Sequence, residues 1–138
     1  MRMRFDGRLM MVAGLALALA GCDKGAGDKS GSGQPTATIA PPAGTSWTDS
    51  VVETANGGYL MGNPNAPVKL VEYASLTCPH CRDFARDAQG PLRDNYVASG
   101  RVSWEFRSFA LNPIDVSATL LATCQGPGPF FKLVEQNY

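Results

Sequence analysis

The chain has 138 residues, with twelve Lys and Arg against twelve Asp and Glu, one histidine and four cysteines. A net charge of zero with no basic run gives no footing for nucleic-acid binding, and an apolar content of 44% fits an ordinary globular domain. The opening is of a different kind. Arg2, Arg4 and Arg8 precede residues 9–20, a continuous apolar run. A basic start followed by about twelve apolar residues is too short to span a bilayer comfortably and reads as a secretory signal over residues 1–21. Without Arg2, Arg4, Arg8 and Asp6, the remainder carries nine basic and eleven acidic groups, a net charge of −2.

Leu19-Ala20-Gly21-Cys22 looks like a bacterial lipobox, in which cleavage before the cysteine leaves a lipidated N-terminus. Cys22 is therefore expected to carry a lipid and to take no part in disulfide pairing. Asp23 resembles the residue that keeps such lipoproteins in the inner membrane, facing the periplasm. Residues 23–46 are rich in Gly, Ser, Thr, Ala and Pro, with Ile39 almost alone as a large apolar side chain. Such a stretch cannot bury enough surface to order itself, and as a flexible tether it reaches roughly 25–30 Å. Residues 22–56 are thus read as the lipidated N-terminus and linker, with 47–56 left between a short helix and a lead-in, and residues 57–138 as the folded domain.

The domain opens with a short strand in residues 57–62, followed by the turn-forming Asn63-Pro64-Asn65. Val68 to Tyr73 form an apolar, β-branched run that reads as a buried strand, and residues 74–77 connect it to Cys78-Pro79-His80-Cys81. Phe84, Ala85, Ala88 and Leu92 then recur at helical spacing. Pro79 suits the first helical position, where a missing N–H is harmless. Residues three apart on one turn are neighbours, so the sulfurs of Cys78 and Cys81 can close a disulfide with little backbone movement. Cys78, at the N-cap, faces the unsatisfied amides and the positive end of the helix, and a charged His80 adds a cation beside it. Both favour thiolate, making Cys78 the nucleophile and Cys81 the resolving partner. A stabilised thiolate favours the dithiol, so the disulfide is an oxidant.

Other uses of a C-x-x-C pair fit less well. Half of a zinc site wants a second pair of ligands, and beyond His80 the remaining candidate in the domain is Cys124. A c-type haem site needs histidine at position 82, which is arginine. A structural disulfide over so short a loop would constrain little chain. No metal is expected.

After Gly90-Pro91, where a kink is expected, Leu92 and Tyr96 continue the apolar helical face until Ser99-Gly100. Val102, Trp104 and Phe106 alternate with polar residues and read as a core strand lying parallel to Val68–Tyr73 through a right-handed crossover. Asn112-Pro113-Ile114-Asp115 is a helix start with cap, N-terminal proline and acid. That helix carries Val116, Leu120, Leu121 and Cys124, read as core-facing with Cys124 a buried thiol, and Phe130 to Val134 open another.

Cys78-Pro79-His80-Cys81 preceded by Val71-Glu72-Tyr73, with residues 62–68 upstream and 107–111 downstream, resembles the DsbA-like branch of the thioredoxin superfamily. The resemblance implies an α/β, thioredoxin-like fold with a helical insertion from about residue 112. It implies a thiol-disulfide oxidoreductase that works without a cofactor on the thiols of exported proteins and is recycled by a membrane or periplasmic redox partner. Glu72 matches the acidic residue this family carries beneath the active site, which helps move the proton of the resolving thiol. The family fold continues past the insertion with two antiparallel strands, a cis-proline loop and a last helix. No strand follows Pro129, the last proline, so a C-terminally truncated domain is expected.

Overall fold

The computed structural model describes residues 37–138; the signal and lipobox readings, Cys22 included, lie outside the described residues. Four strands form one sheet in the order β1-β2-β4-β3: β1 (Val51–Glu53), β2 (Tyr59–Gly62), β3 (Val68–Ala74) and β4 (Val102–Ser108). β2 pairs antiparallel with β1 and β4, while β3 runs parallel to β4 with Leu70 opposite Trp104 and Glu72 opposite Phe106. That parallel pair is the crossover read from the sequence. β1 falls within residues expected to be linker. Its register with β2 (Val51 opposite Met61) makes it an edge strand, closed by a turn in which the Thr54 amide donates to the Gly58 carbonyl at 2.8 Å.

Order begins earlier still. The Ile39 amide donates to the Ser99 carbonyl at 2.8 Å, and the Trp47 indole N–H donates to the Ile39 carbonyl at 2.7 Å. Gly100 lies under this contact with φ of 72°, and a Cβ there would come within 2.5 Å of the Ile39 carbonyl oxygen. Only glycine meets both demands. One bond to Ser99 thus docks, and one within the segment braces, a stretch whose composition alone reads as unstructured.

Between β3 and β4 the chain forms α1 (Pro79–Phe84), a π-helical turn (Ala85–Gln89), α2 (Gly90–Leu92) and a second π-helical turn (Arg93–Val97). At Pro91, where a kink is expected, the chain has widened turns on either side. Proline lacks the N–H for one ladder bond and crowds the carbonyl four residues back, and a wider turn relieves both. Each widened turn takes up an extra residue, so the inward face slips by one. Gln89 is buried where Ala88 was expected, and Val97 where Tyr96 was, leaving Tyr96 exposed.

Tyr59, Met61, Val97, Val102, Trp104 and Phe106 pack against α4 (Phe130–Asn137). Phe130 stacks on Tyr59 at 3.8 Å between centroids and meets Phe106 edge-on at 5.5 Å, while Phe131 tilts against Trp104 at 4.7 Å. Such pairs are worth about 0.5–1.5 kcal/mol each beyond the area they bury. Trp104 and Phe106 are core residues, as their alternation predicts.

α3 (Pro113–Thr123) starts where the sequence places it, with the Asp115 amide donating to the Asn112 side-chain oxygen at 3.0 Å. Its facing is the reverse of the expectation. Val116, Leu120 and Leu121 are exposed, and Asp115, Ala118 and Ala122 turn inward. Small side chains let α3 come close, and burying Asp115 fixes the rotation of the helix. Cys124 is accordingly an exposed thiol, not a buried one, and donates to the Leu121 carbonyl at 3.1 Å. β3 departs from expectation as well: it ends the sheet, with Val68, Val71 and Tyr73 exposed instead of buried.

Candidate active site

The site is built at the end of β3. Residues 75–77 form a tight connection in which the Cys78 amide donates to the Ser75 carbonyl at 3.2 Å and the Thr77 amide donates to the Ser75 hydroxyl at 3.2 Å. Serine suits this place because its side chain accepts from an amide two residues on. Leu76 is buried and serves as the peg of the turn. Its amide donates to Asp115 Oδ1 at 2.9 Å, and the Asn112 side-chain amide donates to the Thr77 hydroxyl at 2.9 Å. The start of α3 therefore clasps the chain just ahead of Cys78.

Cys78 is the N-cap of α1 with extended backbone (φ −84°, ψ 123°), and Pro79 holds the first helical position. The Cys78 side chain makes no formal capping bond. The Cys81 amide nevertheless lies within reach of its sulfur, followed by the Cys81 thiol and the His80 amide, and together they hold the Cys78 thiol below its ordinary pKa against burial and the charge of Asp115. Cys81 is displaced the other way: burial pushes its thiol up, helped by the Cys78 sulfur and the charge of Glu72. Both cysteines are thiols in this structure. His80 acts on Cys78 through its main-chain amide, and its ring is exposed.

Glu72, on β3, lies beneath Cys81. Its carboxylate accepts from the Trp104 indole N–H at 2.9 Å and from the Gln89 side chain at 3.5 Å. Burial raises its pKa, partly offset by those two donors. A small cleft beside Cys78 is lined by Thr77, Pro79, Arg82 and Tyr138, and a shallower groove along the edge of β3 is lined by Val71, Tyr73, His80, Cys81 and Phe84. The Tyr138 hydroxyl is buried and has no hydrogen-bond partner among the described residues, and burial drives its pKa well above the ordinary phenol range.

The residues singled out from the sequence within the described chain thus converge: Cys78, Pro79, His80 and Cys81 on one turn, with Glu72 below. Cys124 lies away from them at the far end of α3. Four contributors were not legible as such. Asp115 reads as a helix-start acid and Trp104 as core, while Gln89 and Tyr138 carry no signal in the sequence. The alignment of β3 with β4, which sets Trp104 one step from Glu72, is a tertiary fact; the Asn-Pro-x-Asp start of α3 is the nearest thing to a local signal for Asp115.

A family model described as Thioredoxin matches residues 54–137. The chain belongs to the thioredoxin family. It is similar to a Rickettsia typhi protein named as a protein-disulfide oxidoreductase, 32% identical over 71 residues, covering 51% of this chain and 26% of that one. A Rickettsia prowazekii protein of the same name is 33% identical over 67 residues, covering 49% and 25%. Among solved structures, a protein-disulfide isomerase from Novosphingobium aromaticivorans is 40% identical with a TM-score of 0.57, covering 59% of this chain and 41% of that one. Wolbachia pipientis alpha-DsbA1 is 33% identical with a TM-score of 0.54, covering 56% and 40%. The matched part thus spans about a quarter of the curated relatives' length. The thioredoxin-like fold with α3 as its helical insertion, expected from the DsbA-like resemblance, is present.

Proposed function

We propose that Cys78 and Cys81 form the redox pair of a thiol-disulfide oxidoreductase, and that it runs as an oxidase of exported proteins. The observation that carries this reading is the opposite displacement of two thiols on one helical turn, Cys78 below its ordinary range and Cys81 above it. In the disulfide form, a substrate thiolate attacks Cys78 Sγ. The Cys78–Cys81 bond breaks, its electron pair leaves on Cys81, and Cys81 takes up a proton. A second substrate thiolate then attacks the substrate sulfur of the mixed disulfide, and Cys78 departs as a thiolate. Two electrons pass from two substrate thiols to the pair, and a disulfide remains on the substrate.

Each site residue has a place in this sequence. The amides at the start of α1 make Cys78 both the preferred point of attack and a good leaving group. Pro79 fixes the first helical residue without competing for the sulfur, and His80 contributes its main-chain amide and an exposed ring at the mouth of the site. Glu72, protonated more readily than an ordinary carboxyl, supplies the proton to Cys81 and takes it back on re-oxidation. A membrane or periplasmic partner accepting two electrons restores the disulfide. The lipid at Cys22 and the residues that follow hold the domain at the membrane, facing exported proteins. Among the described residues no helix is long and apolar enough to cross a membrane.

A second reading, disulfide isomerase, is favoured by the name of the 40% identical Novosphingobium protein. Equilibration with glutathione buffers separates the two. For the oxidase, the pair is reduced by glutathione mixtures that leave ordinary structural disulfides intact, and Cys78→Ser abolishes oxidation of a reduced test protein. A pair that glutathione disulfide readily oxidises, with reshuffling of scrambled disulfides faster than oxidation of reduced chains, replaces the oxidase by an isomerase.

A further inference from the structure

Asp115 is fully buried, and both its oxygens are committed. Oδ1 accepts from the Leu76 amide at 2.9 Å and Oδ2 from the Leu111 amide at 3.0 Å. One oxygen therefore grips the chain two residues before the reactive cysteine, and the other grips the chain leading into α3. Neutral acceptors would satisfy two amides as well, and burying a full charge is costly unless it is paired. Among the described residues Asp115 has no lysine, arginine or histidine within ion-pair distance. It stays ionised all the same. Burial pushes its carboxyl up, and the Ser75 hydroxyl, the Leu111 and Leu76 amides and the Thr77 hydroxyl together outweigh that and hold it below the usual range.

An uncompensated negative charge is thus fixed beside the loop that delivers Cys78. The other groups bearing on that sulfur are the Cys81 and His80 amides and the Cys81 thiol on α1, with the Tyr138 phenol and Arg82 lining the cleft beside it. Glu72 bears on Cys81 instead. Of the groups acting on Cys78, Asp115 is the carboxylate, and it opposes the thiolate.

We propose that Asp115 is a positioning residue for Cys78: locked by two main-chain amides, its charge holds the thiolate less stable than the helix start alone would make it, so that the insertion helix sets how oxidising the pair is. This rests on the dithiol reading above, in which the thiolate is the reactive form. A tether needs only the acceptors, whereas this role needs the charge.

Asp115→Asn and Asp115→Glu separate the two. Asn is nearly isosteric, removes the charge and keeps one of the two amide contacts; Glu keeps the charge and both acceptors. In the full chain, the thiolate absorbance of Cys78 is titrated against pH, and the pair is equilibrated with glutathione. The expected result is a Cys78 titration displaced to lower pH in Asp115→Asn, with the glutathione equilibrium moved about threefold toward the dithiol, and wild-type behaviour in Asp115→Glu. Equal displacement in both variants would show that loop structure is responsible and overturn the proposal, as would no displacement in Asp115→Asn. Should the longer side chain of Asp115→Glu prevent folding, exchange protection of the Leu76 and Leu111 amides in Asp115→Asn takes its place: a displaced titration with at least one of the two amides still protected supports the charge, and displacement with both amides exposed overturns it. Because the titration does not depend on turnover, a wild-type protein that oxidises nothing would sink the oxidase reading while leaving this comparison decisive.

Discussion

The half of the sheet around β2 and β4 and the edge at β3 are built on opposite rules. Around β2, β4 and α4, aromatic rings meet at 3.8 to 5.5 Å in a close-packed cluster with Phe106, Phe130 and Val134 almost wholly buried. At β3, large apolar side chains face outward while carboxylates are turned in, Glu72 beneath Cys81 and Asp115 beneath the loop. The first region supplies stability, because burying ring surface lowers the free energy of the fold directly, and the Trp104 indole N–H, the polar atom it turns toward β3, is satisfied by Glu72. The second spends some of it, because a carboxyl out of water is held only by the few donors aimed at it. The proposed redox pair sits where the packing is least comfortable.

Phe130→Ala is the sharpest way to break this division. Phe130 stacks on Tyr59, meets Phe106 and touches Phe131, so its removal leaves a cavity with three walls that cannot close over it. The expected loss is about 3–5 kcal/mol in urea unfolding, a large share of the stability of any small domain. The Cys78 titration in the molecules that remain folded is expected to stay where it is in the wild type. A change there would mean that the aromatic cluster also shapes the site and that the two regions are not separable.

Glu72→Gln probes the other region and is expected to act in the opposite direction. Because burial raises the folded-state pKa of Glu72, its contribution to stability is fully present below the unfolded carboxyl value and is lost as pH rises through the raised one. Wherever the pH lies above that raised value the wild type carries a buried charge that Gln would not have, while Gln still accepts from the Trp104 indole. Unfolding measured across pH should show Glu72→Gln gaining on the wild type as pH rises through that value, by less than the Phe130 loss. The two should converge in acid. Re-oxidation of the pair should slow, since the amide takes no proton from Cys81. A variant whose advantage persists unchanged in acid would show that Glu72 is not charged in the wild type.

How far the sequence discloses all this depends on whether a feature is local. The Cys78-Pro79-His80-Cys81 turn is local: a proline in the first turn and two sulfurs three residues apart fix the helix start and the downward displacement of Cys78, whereas the upward displacement of Cys81 comes from burial that the motif does not disclose. The capped start of α3 and the alternation of Val102, Trp104 and Phe106 are legible for the same reason. The phase of the long helix is not, because helical periodicity assumes 3.6 residues per turn and the widened turns flanking Pro91 shift the buried positions to Gln89 and Val97. The facing of α3 is not either. Counting apolar residues favours Leu120 and Leu121, but the pull of the Leu76 and Leu111 amides on Asp115 turns the helix the other way. Cys124 follows that rotation into solvent.

Leu120→Gln tests that rotation and has the smallest expected effect. Leu and Gln are close in helix propensity, and Leu120 is 63% exposed, so the change should stay within about 0.5 kcal/mol in urea unfolding. If α3 faced the core with Leu120, as its apolar residues suggest, the same substitution would empty a leucine-sized space and bury an amide. That would cost at least about 2 kcal/mol. The difference between those outcomes is well above the error of a careful unfolding curve. A small effect would leave α3 rotated by a buried carboxylate, with Asp115 pinned beneath the loop that precedes Cys78; a large one would return Asp115 to the surface and remove its charge from beside that loop.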